Sequence, residues 1–207
     1  MTEEEARAAV AALVPPAALD RIAAFVDLVR AESAQQNLVA KATLDSIWLR
    51  HILDSAQLLP LAADAIDGPW IDVGTGAGFP GVIVALASGR DTVLVEPRRM
   101  RAAFLEHALA LLGAADRAQV VQAKIERVPA PKAAVISARA VAPTIELLNA
   151  TKHLATADTL YLLPKGQSAT TESVIAQRTF SGMFHVEQSV TDASSGIIVA
   201  RNVRARR

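Results

Sequence analysis

The sequence predicts an α/β fold in which a mostly parallel seven-stranded sheet ends in an antiparallel strand and follows a helical extension. Three observations support this. The first 66 residues have helical patterning, the following residues alternate strand-like and helical runs, and two strand-like runs lie close together near the C-terminus. Such alternation implies a parallel sheet with helices on both faces. We therefore divide the chain into a helical extension, residues 1–66, and one compact core, residues 67–207.

The extension is predicted to contain two long helices. One spans residues 16–33, because proline is tolerated in the first turn of a helix and four apolar residues follow at helical spacing: Ile22, Phe25, Val26 and Val29. The other spans residues 43–59, because Thr43 is a suitable N-cap and Pro60 follows the last residue.

The core is predicted to alternate strands with helices. The strands span residues 70–73, 92–95, 119–122, 134–137, 159–163, 184–190 and 196–203. The helices span residues 79–87, 98–112 and 143–154. Only residues 191–195 separate the last two strands, and so short a connection makes them antiparallel. The fold class is therefore Rossmann-like.

Composition excludes several kinds of site. The chain has no cysteine, which rules out disulfides and thiolate metal sites and fits a reducing cytoplasm, so we predict a cytoplasmic protein without a metal. The acidic start, residues 1–5, is unlike a secretory signal, and no apolar run long enough for a membrane span is present. Nothing in the sequence requires more than a monomer.

The charges balance but are not evenly spread. The 21 basic and 21 acidic residues argue weakly against a protein that holds nucleic acid by charge alone. Arginines nevertheless cluster at two places: Arg98, Arg99 and Arg101, and then Arg201, Arg204, Arg206 and Arg207. The first cluster opens a predicted helix, where positive charge opposes the helix dipole. It is either a solvated helix start or a contact to RNA.

A glycine-rich run, residues 72–81, joins the first predicted strand to a helix and is here named the glycine loop. Its glycines permit positive φ and let a ligand approach the backbone closely. The helix that follows directs its free N–H groups at the ligand. Glu96 ends the second strand 20 residues after Gly76, where a carboxylate can accept hydrogen bonds from ribose hydroxyls.

The glycine spacing distinguishes between cofactors. Nicotinamide and flavin sites favour Gly-x-Gly-x-x-Gly, which seats a pyrophosphate. Here Gly74, Gly76 and Gly78 are two apart and follow Asp72, which is the pattern of class I methyltransferases that bind S-adenosylmethionine. A dinucleotide site, or a glycine turn without a ligand, is the alternative.

Two motifs resemble those of the bacterial small-subunit ribosomal RNA guanine-N7 methyltransferases, the methyltransferase G family (glucose-inhibited division protein B). They are residues 50–55, Arg-His-Ile-Leu-Asp-Ser, and the complete glycine loop, Asp-Val-Gly-Thr-Gly-Ala-Gly-Phe-Pro-Gly. Residues 37–38, 137–140 and 164–167 agree as well, and the resemblance covers residues 34–203. Ala138 departs from the Ser-Arg-Ala of many relatives, and residues 34–36 lack a tryptophan common in them.

The resemblance implies a function and a set of site residues. The enzyme would transfer a methyl group from S-adenosylmethionine to guanine N7 in the 530-loop of 16S RNA, in the small subunit or its precursor, and release S-adenosylhomocysteine. Together with the spacing of the glycines, the resemblance predicts these cofactor-binding residues: Asp72, Gly74, Gly76, Gly78, Phe79, Glu96, Ile125, Glu126 and Arg139.

Four further side chains are predicted to serve the site. Arg139 and Lys165 follow strands four and five at the carboxyl edge of the sheet, where α/β sheets bind ligands. We predict that both are catalytic contacts to RNA phosphate or to the guanine, the alternative being ordinary surface charge. His51 and Asp54 are three apart on one helix face and are predicted to support the glycine loop.

The implied chemistry needs no general base. Guanine N7 carries a lone pair and no proton, and none of the histidines, His51, His107, His153 and His185, belongs to a recognisable catalytic triad. Catalysis would consist of positioning. N7 faces the major groove, which is too deep and narrow in A-form RNA, so the target should lie in a loop. A small-molecule methyltransferase and a non-catalytic cofactor-binding module are the rival functions.

Overall fold

The computed structural model describes residues 1–129 and 131–206, and within them seven strands form one sheet in the order β3-β2-β1-β4-β5-β7-β6. Strands β1 to β5 are parallel, whereas β7 is antiparallel to both β5 and β6. The predicted mixed sheet is confirmed. The strands are β1 Trp70–Val73, β2 Thr92–Val95, β3 Ala118–Val121, β4 Val135–Ala138, β5 Leu160–Pro164, β6 Phe180–Gln188 and β7 Gly196–Ala205. Arg207, the last arginine of the C-terminal cluster, lies outside the described residues.

Eight α-helices occur in the described residues. They are α1 Glu3–Leu13, α2 Pro16–Glu32, α3 Asp54–Ala56, α4 Leu58–Leu61, α5 Gly81–Ala87, α6 Arg99–Leu111, α7 Thr144–Thr151 and α8 Ala169–Thr179. Helix α1 begins with a capping box, in which Thr2 Oγ1 accepts from the Glu5 backbone and the Glu5 carboxylate accepts from Thr2 N. No described helix is both long and apolar enough to cross a membrane.

The prediction of one helix over residues 43–59 is wrong. The chain forms a 3-10 turn at Lys41–Thr43, a π-helical segment at Trp48–Leu53, and then α3 and α4. The carboxylate of Glu3 accepts from Trp48 N at 3.0 Å and from Leu49 N at 2.9 Å, so a residue far away in sequence caps the π-helical segment. A local pattern cannot reveal such a cap.

Other elements also differ from the prediction. Helix α8 was not predicted, since its sequence is rich in threonine and serine; it buries Ala169, Ser173 and Ala176. Helix α5 begins at Gly81 rather than at residue 79, because Phe79 and Pro80 still belong to the turn of the glycine loop. Strand β6 spans Phe180–Gln188, whereas the prediction was residues 184–190.

The helices cover both faces of the sheet. On one face, Phe25 of α2 contacts Phe79 of the glycine loop with ring centroids 5.5 Å apart, and Phe104 of α6 at 6.3 Å. These rings belong to one hydrophobic cluster with residues of α1 and α5. On the other face, α7 and α8 pack on the sheet in a second cluster. The extension thus shares its core with the glycine loop.

The strand order determines where a ligand can bind. Neighbours β1 and β4 lead to helices on opposite faces, α5 and α7, so a crevice opens beyond their carboxyl ends. The loops after these two strands form the sides of that crevice. They are the glycine loop and residues 139–143, here named the β4 loop.

Candidate active site

A cleft of about 780 Å³ opens at the carboxyl edge of the sheet, between the glycine loop and the β4 loop. The side chains of Arg50, His51 and Asp54 line it from the extension. Lys165 and residues of the turn between β6 and β7 also line it. Five separate parts of the chain therefore meet at the edge that the sequence predicts.

The glycine loop presents backbone rather than side chains to this cleft. Gly74, Gly76 and Gly78 have φ angles of 66°, 63° and 103°, in the left-handed region that favours glycine. A Cβ on Gly76 would come no closer than 3.7 Å to another atom, so the space beside it is open to a ligand. Gly78 faces inward, where a Cβ would lie 2.5 Å from the Phe25 ring. Gly76 approaches the ligand, and Gly78 allows the loop to pack.

Asp72 lies beneath the glycine loop and is completely buried. Its carboxylate accepts from Ser137 Oγ at 2.7 Å and from Gly81 N at 2.9 Å. Ser137 in turn accepts from the indole N–H of Trp70 at 2.8 Å. Burial raises the pKa of Asp72 to about 6. The structure thus places this predicted cofactor residue under the loop, where it joins β1, β4 and the start of α5.

Glu96, at the end of β2, is only 3% exposed and contacts the glycine loop directly. One carboxylate oxygen accepts from Gly76 N at 2.9 Å, and the other accepts from Arg98 N at 2.8 Å. Each carboxylate oxygen can accept a second hydrogen bond. The residues here therefore fit a ribose, since an acidic acceptor and an open glycine backbone lie side by side.

Two further residues predicted to bind the cofactor lie one strand further along the same edge. Ile125 and Glu126 begin a 3-10 turn after β3, which is the neighbour of β2. Ile125 is buried and Glu126 is exposed. Neither of these residues nor Glu96 is among those that line the cleft, which reaches Gly74 and Gly76.

Arg139 is the centre of a polar network above Phe79. Its guanidinium donates to Asp54 Oδ2 at 3.0 Å and to His51 Nδ1 at 3.1 Å, and it lies 5.4 Å from the Phe79 ring centroid. His51 stacks on the same ring at 5.1 Å. The residues predicted to support the glycine loop therefore hold both Phe79 and Arg139.

His51 is neutral in this network. Burial and the positive charges of Arg139 and Arg50 lower its pKa to about 4. Since Nδ1 accepts from Arg139, the proton is assigned to Nε2, which lies 2.9 Å from Thr43 Oγ1. Both ring nitrogens of His51 are thereby used within the protein.

Asp54 extends the network to the turn between β6 and β7. Its Oδ1 accepts from Gln57 Nε2 at 2.9 Å and from Thr191 Oγ1 at 3.1 Å. Gln57 also accepts from Val190 N at 2.9 Å. The sequence interpretation missed Gln57 and Thr191, and no local pattern identifies contacts across more than 130 residues.

Lys165 is nearly buried, with 8% of its side chain exposed. Its ammonium group lies 3.1 Å from a carboxylate oxygen of Glu172 and donates to the Ala142 carbonyl. Although burial of Glu172 opposes ionisation, hydrogen bonds from Thr144 and Ser168, among others, hold its pKa at about 2. The lysine that the sequence places near RNA phosphate is thus engaged inside the fold, and Glu172 was not anticipated.

The described residues contain no cluster of side chains that could form a metal site. Within residues 1–129 and 131–206, no three histidine, aspartate or glutamate side chains form a group that could hold a metal ion.

Comparison with known proteins identifies the family. The family model described as rRNA small subunit methyltransferase G matches residues 18–202. A protein of that name from Sphingopyxis alaskensis is 48% identical over 179 residues, which cover 86% of this chain and 76% of the relative. Another from Novosphingobium aromaticivorans is 45% identical over 205 residues, which cover 97% of this chain and 89% of the relative.

Solved structures share the fold at low sequence identity. A SAM-dependent methyltransferase from Aquifex aeolicus has a TM-score of 0.60 at 14% identity and covers 72% of this chain and 90% of its own. A methyltransferase from Geobacter sulfurreducens has a TM-score of 0.58 at 14% identity, with coverages of 86% and 87%. The predicted class I fold is confirmed, and so is the prediction of S-adenosylmethionine as cofactor. The chain belongs to the rRNA small subunit methyltransferase G family.

Proposed function

We propose that this chain transfers a methyl group from S-adenosylmethionine to N7 of a guanine in 16S ribosomal RNA, in the 530-loop of the small subunit or its precursor. The observation that carries the proposal is that the proton acceptors lining the cleft are engaged by donors of the protein itself. In the described structure these are His51, Asp54, Glu172 and Asp192, and each accepts hydrogen bonds from protein donors. A site whose proton acceptors are all engaged by protein donors suits an acceptor nitrogen that carries no proton.

The cofactor-binding residues follow from the geometry of the glycine loop. S-adenosylmethionine supplies, when bound, a methyl group on a positively charged sulfur. Gly74 and Gly76 leave the backbone open for it, and Glu96 has acceptor capacity for its ribose. Asp72 holds the loop from below, so we assign it to positioning rather than to direct contact.

Arg139 is the residue best placed to contact the acceptor. A guanidinium group has five N–H donors, of which Arg139 uses three within the described structure, for Arg50 O, Asp54 and His51. The remaining N–H groups are available to a guanine O6 or a phosphate. Holding N7 in line with the methyl group supplies rate enhancement by positioning alone.

The fold gathers exposed cations on one side of the cleft. They follow the carboxyl ends of β2 and β3 and line the adjacent extension: Arg98, Arg99, Lys124, Arg127, Lys41 and Arg50. The opposite edge of the sheet carries both signs, because exposed aspartates precede β1, β2, β3 and β5 (Asp67, Asp91, Asp116 and Asp158) and exposed cations precede β3 and β4 (Arg117 and Lys132). We name the group of six cations the basic rim. It lies beside the cleft and suits an RNA backbone, with which a protein of zero net charge would otherwise have little attraction.

The test is methyl transfer from labelled cofactor to small ribosomal subunits that lack the modification, with large subunits as the control. The expected result is one labelled guanine, in the 530-loop, that becomes sensitive to borohydride and aniline cleavage as N7-methylguanosine. Label in free nucleosides or metabolites would overturn the assignment to RNA. Label at another atom or base would overturn the N7 assignment. We expect the active species to be a monomer.

A further inference from the structure

The β4 loop rests directly against the glycine loop. A Cβ on Gly74 would lie 2.7 Å from Val141 Cγ2, so Val141 is in contact with the backbone of that glycine. Val141 is also 43% exposed and lines the cleft. This one side chain therefore reaches from the cofactor side of the cleft to the side open to an acceptor.

The backbone of the β4 loop is strained. Ala140 has a φ of 55°, in the left-handed region that residues with a Cβ rarely adopt. Such a conformation persists only where the surrounding structure enforces it. The support must therefore come from contacts outside the loop.

Lys165 and Glu172 supply that support. The ammonium group of Lys165 donates to Ala142 O. One oxygen of Glu172 accepts from both Thr144 N and Thr144 Oγ1, each at 2.8 Å. The ion pair therefore binds the chain on both sides of Pro143, and a further bond of 2.8 Å from Ser168 Oγ fixes the other Glu172 oxygen.

The burial of the pair argues for a permanent role in the fold. The side chains of Lys165 and Glu172 are 8% and 23% exposed, and removal of either would leave a poorly solvated partner. Two of the three ammonium donors are used in this way and 8% of the side chain is exposed, so an RNA phosphate would have to compete with Glu172 for Lys165. Binding of phosphate at this ammonium group is therefore disfavoured.

We propose that Lys165 and Glu172 are positioning residues that hold the β4 loop against the glycine loop and so set the width of the crevice for the methyl acceptor. The inference rests on the proposed function for the identity of the acceptor, but the positioning itself concerns the chain alone. It replaces the sequence-based prediction of Lys165 as a phosphate contact.

The test compares Glu172→Gln and Lys165→Met with the wild type on small subunits, with Glu146→Gln on neighbouring α7 as the matched control. Both site variants should lose turnover by on the order of 10- to 100-fold, because a displacement of about 1 Å has effects of that size. Their affinity for S-adenosylhomocysteine should stay within about twofold, as should the KM for RNA. The double variant should be no slower than the slower single variant, since both changes break the same ion pair.

The salt dependence of RNA affinity distinguishes a positioning role of Lys165 from a contact to phosphate. If Lys165 contacts phosphate, Lys165→Met lowers the slope of log affinity against log salt by about one, and Glu172→Gln does not. If Lys165 only positions the β4 loop, both variants should keep the wild-type slope. A changed slope confined to Lys165→Met, or full turnover in Glu172→Gln, would overturn the proposal.

Hydrogen exchange keeps the test independent of the substrate. Exchange at Thr144, whose amide donates to Glu172, should accelerate in Glu172→Gln, while exchange in the glycine loop should not. Unchanged exchange at Thr144 would overturn the positioning role. A wild-type enzyme that leaves small subunits unlabelled would overturn the proposed function instead.

Discussion

The glycine loop and the β4 loop face each other across one cleft, but they are held in place by different means. The glycine loop is fixed by the carboxylates of Asp72 and Glu96, at the ends of β1 and β2, and by the ring of Phe25 of α2 behind Gly78. The β4 loop is fixed by an ion pair between Lys165 and Glu172, which follow the next strand. Its support thus comes from a charged pair rather than from a packed ring.

The difference suggests a division of roles between the two loops. The loop that binds the cofactor is packed from below and leaves its upper backbone open. The loop that faces the acceptor carries a left-handed alanine and depends on polar contacts. Changes in the first should affect folding and cofactor affinity, and changes in the second should affect turnover.

The largest expected effect is on stability, in Gly78→Ala. A Cβ there would lie 2.5 Å from the Phe25 ring and 2.8 Å from Val82, at a positive φ. Overpacking and the unfavourable backbone together should lower the free energy of unfolding by roughly 2–5 kcal/mol. Urea denaturation checks this. Gly89→Ala is the control, since its φ is also positive but an added Cβ meets no described atom within 4 Å; an equal loss in both would refute the role of Phe25.

The next effect is a pair of opposed pH dependences, one from Asp72 and one from His51. The folded pKa of Asp72 is raised to about 6, so the folded protein binds one more proton than the unfolded chain between about pH 4 and 6. Stability from this group falls by about 3 kcal/mol as pH rises through that range. The folded pKa of His51 is lowered to about 4, so stability from His51 rises with pH over much of the same range.

The two dependences should partly offset each other in the wild type. Relative to wild type, Asp72→Asn should become more stable as pH rises from 4 to 6, whereas His51→Gln should become less stable. Unfolding free energies from urea titrations across this range check both signs. Curves of both variants parallel to that of the wild type would contradict the assigned protonation states.

Arg139→Ala should reduce turnover on the order of 100-fold, because Arg139 begins the β4 loop, lies over Phe79 of the glycine loop and is proposed to orient the acceptor. Its loss should lower stability by no more than about 1–3 kcal/mol, since Asp54 keeps its bonds from Gln57 and Thr191. Arg139→Lys keeps the charge but not the planar guanidinium group. Its turnover should exceed that of Arg139→Ala by less than about tenfold. An unchanged rate in the alanine variant would remove Arg139 from the site.

The smallest effect concerns the basic rim. Arg99→Ala should lower the slope of log RNA affinity against log salt by about one, and should weaken binding by a few-fold at moderate salt. Arg204→Ala is the matched control, because Arg204 is exposed near the end of β7, away from the cleft. Equal changes in the two slopes would show that the cations act only through the overall charge.

The same contrast explains how much the sequence could reveal. The glycine loop and Glu96 were predictable, because strand, glycines, helix and a second strand follow one another at fixed spacing. Arg139 and His51 were identified by the family resemblance, with the strand end before Arg139 and the spacing of His51 and Asp54 as further support. Glu172 and Gln57 left no signal, because their partners are brought to them by the folded sheet. The π-helical segment was missed for the same reason, since Glu3 caps it from α1.

The most direct test of this division is single-turnover methyl transfer to small subunits at increasing S-adenosylmethionine, in Gly76→Ala and Glu172→Gln. The Cβ added at Gly76 points into the cofactor side of the cleft. We predict that Gly76→Ala is slow at low cofactor and recovers at saturation, whereas Glu172→Gln stays slow at every concentration. Recovery of Glu172→Gln at saturating cofactor would contradict the account, because it would place the defect on the cofactor side.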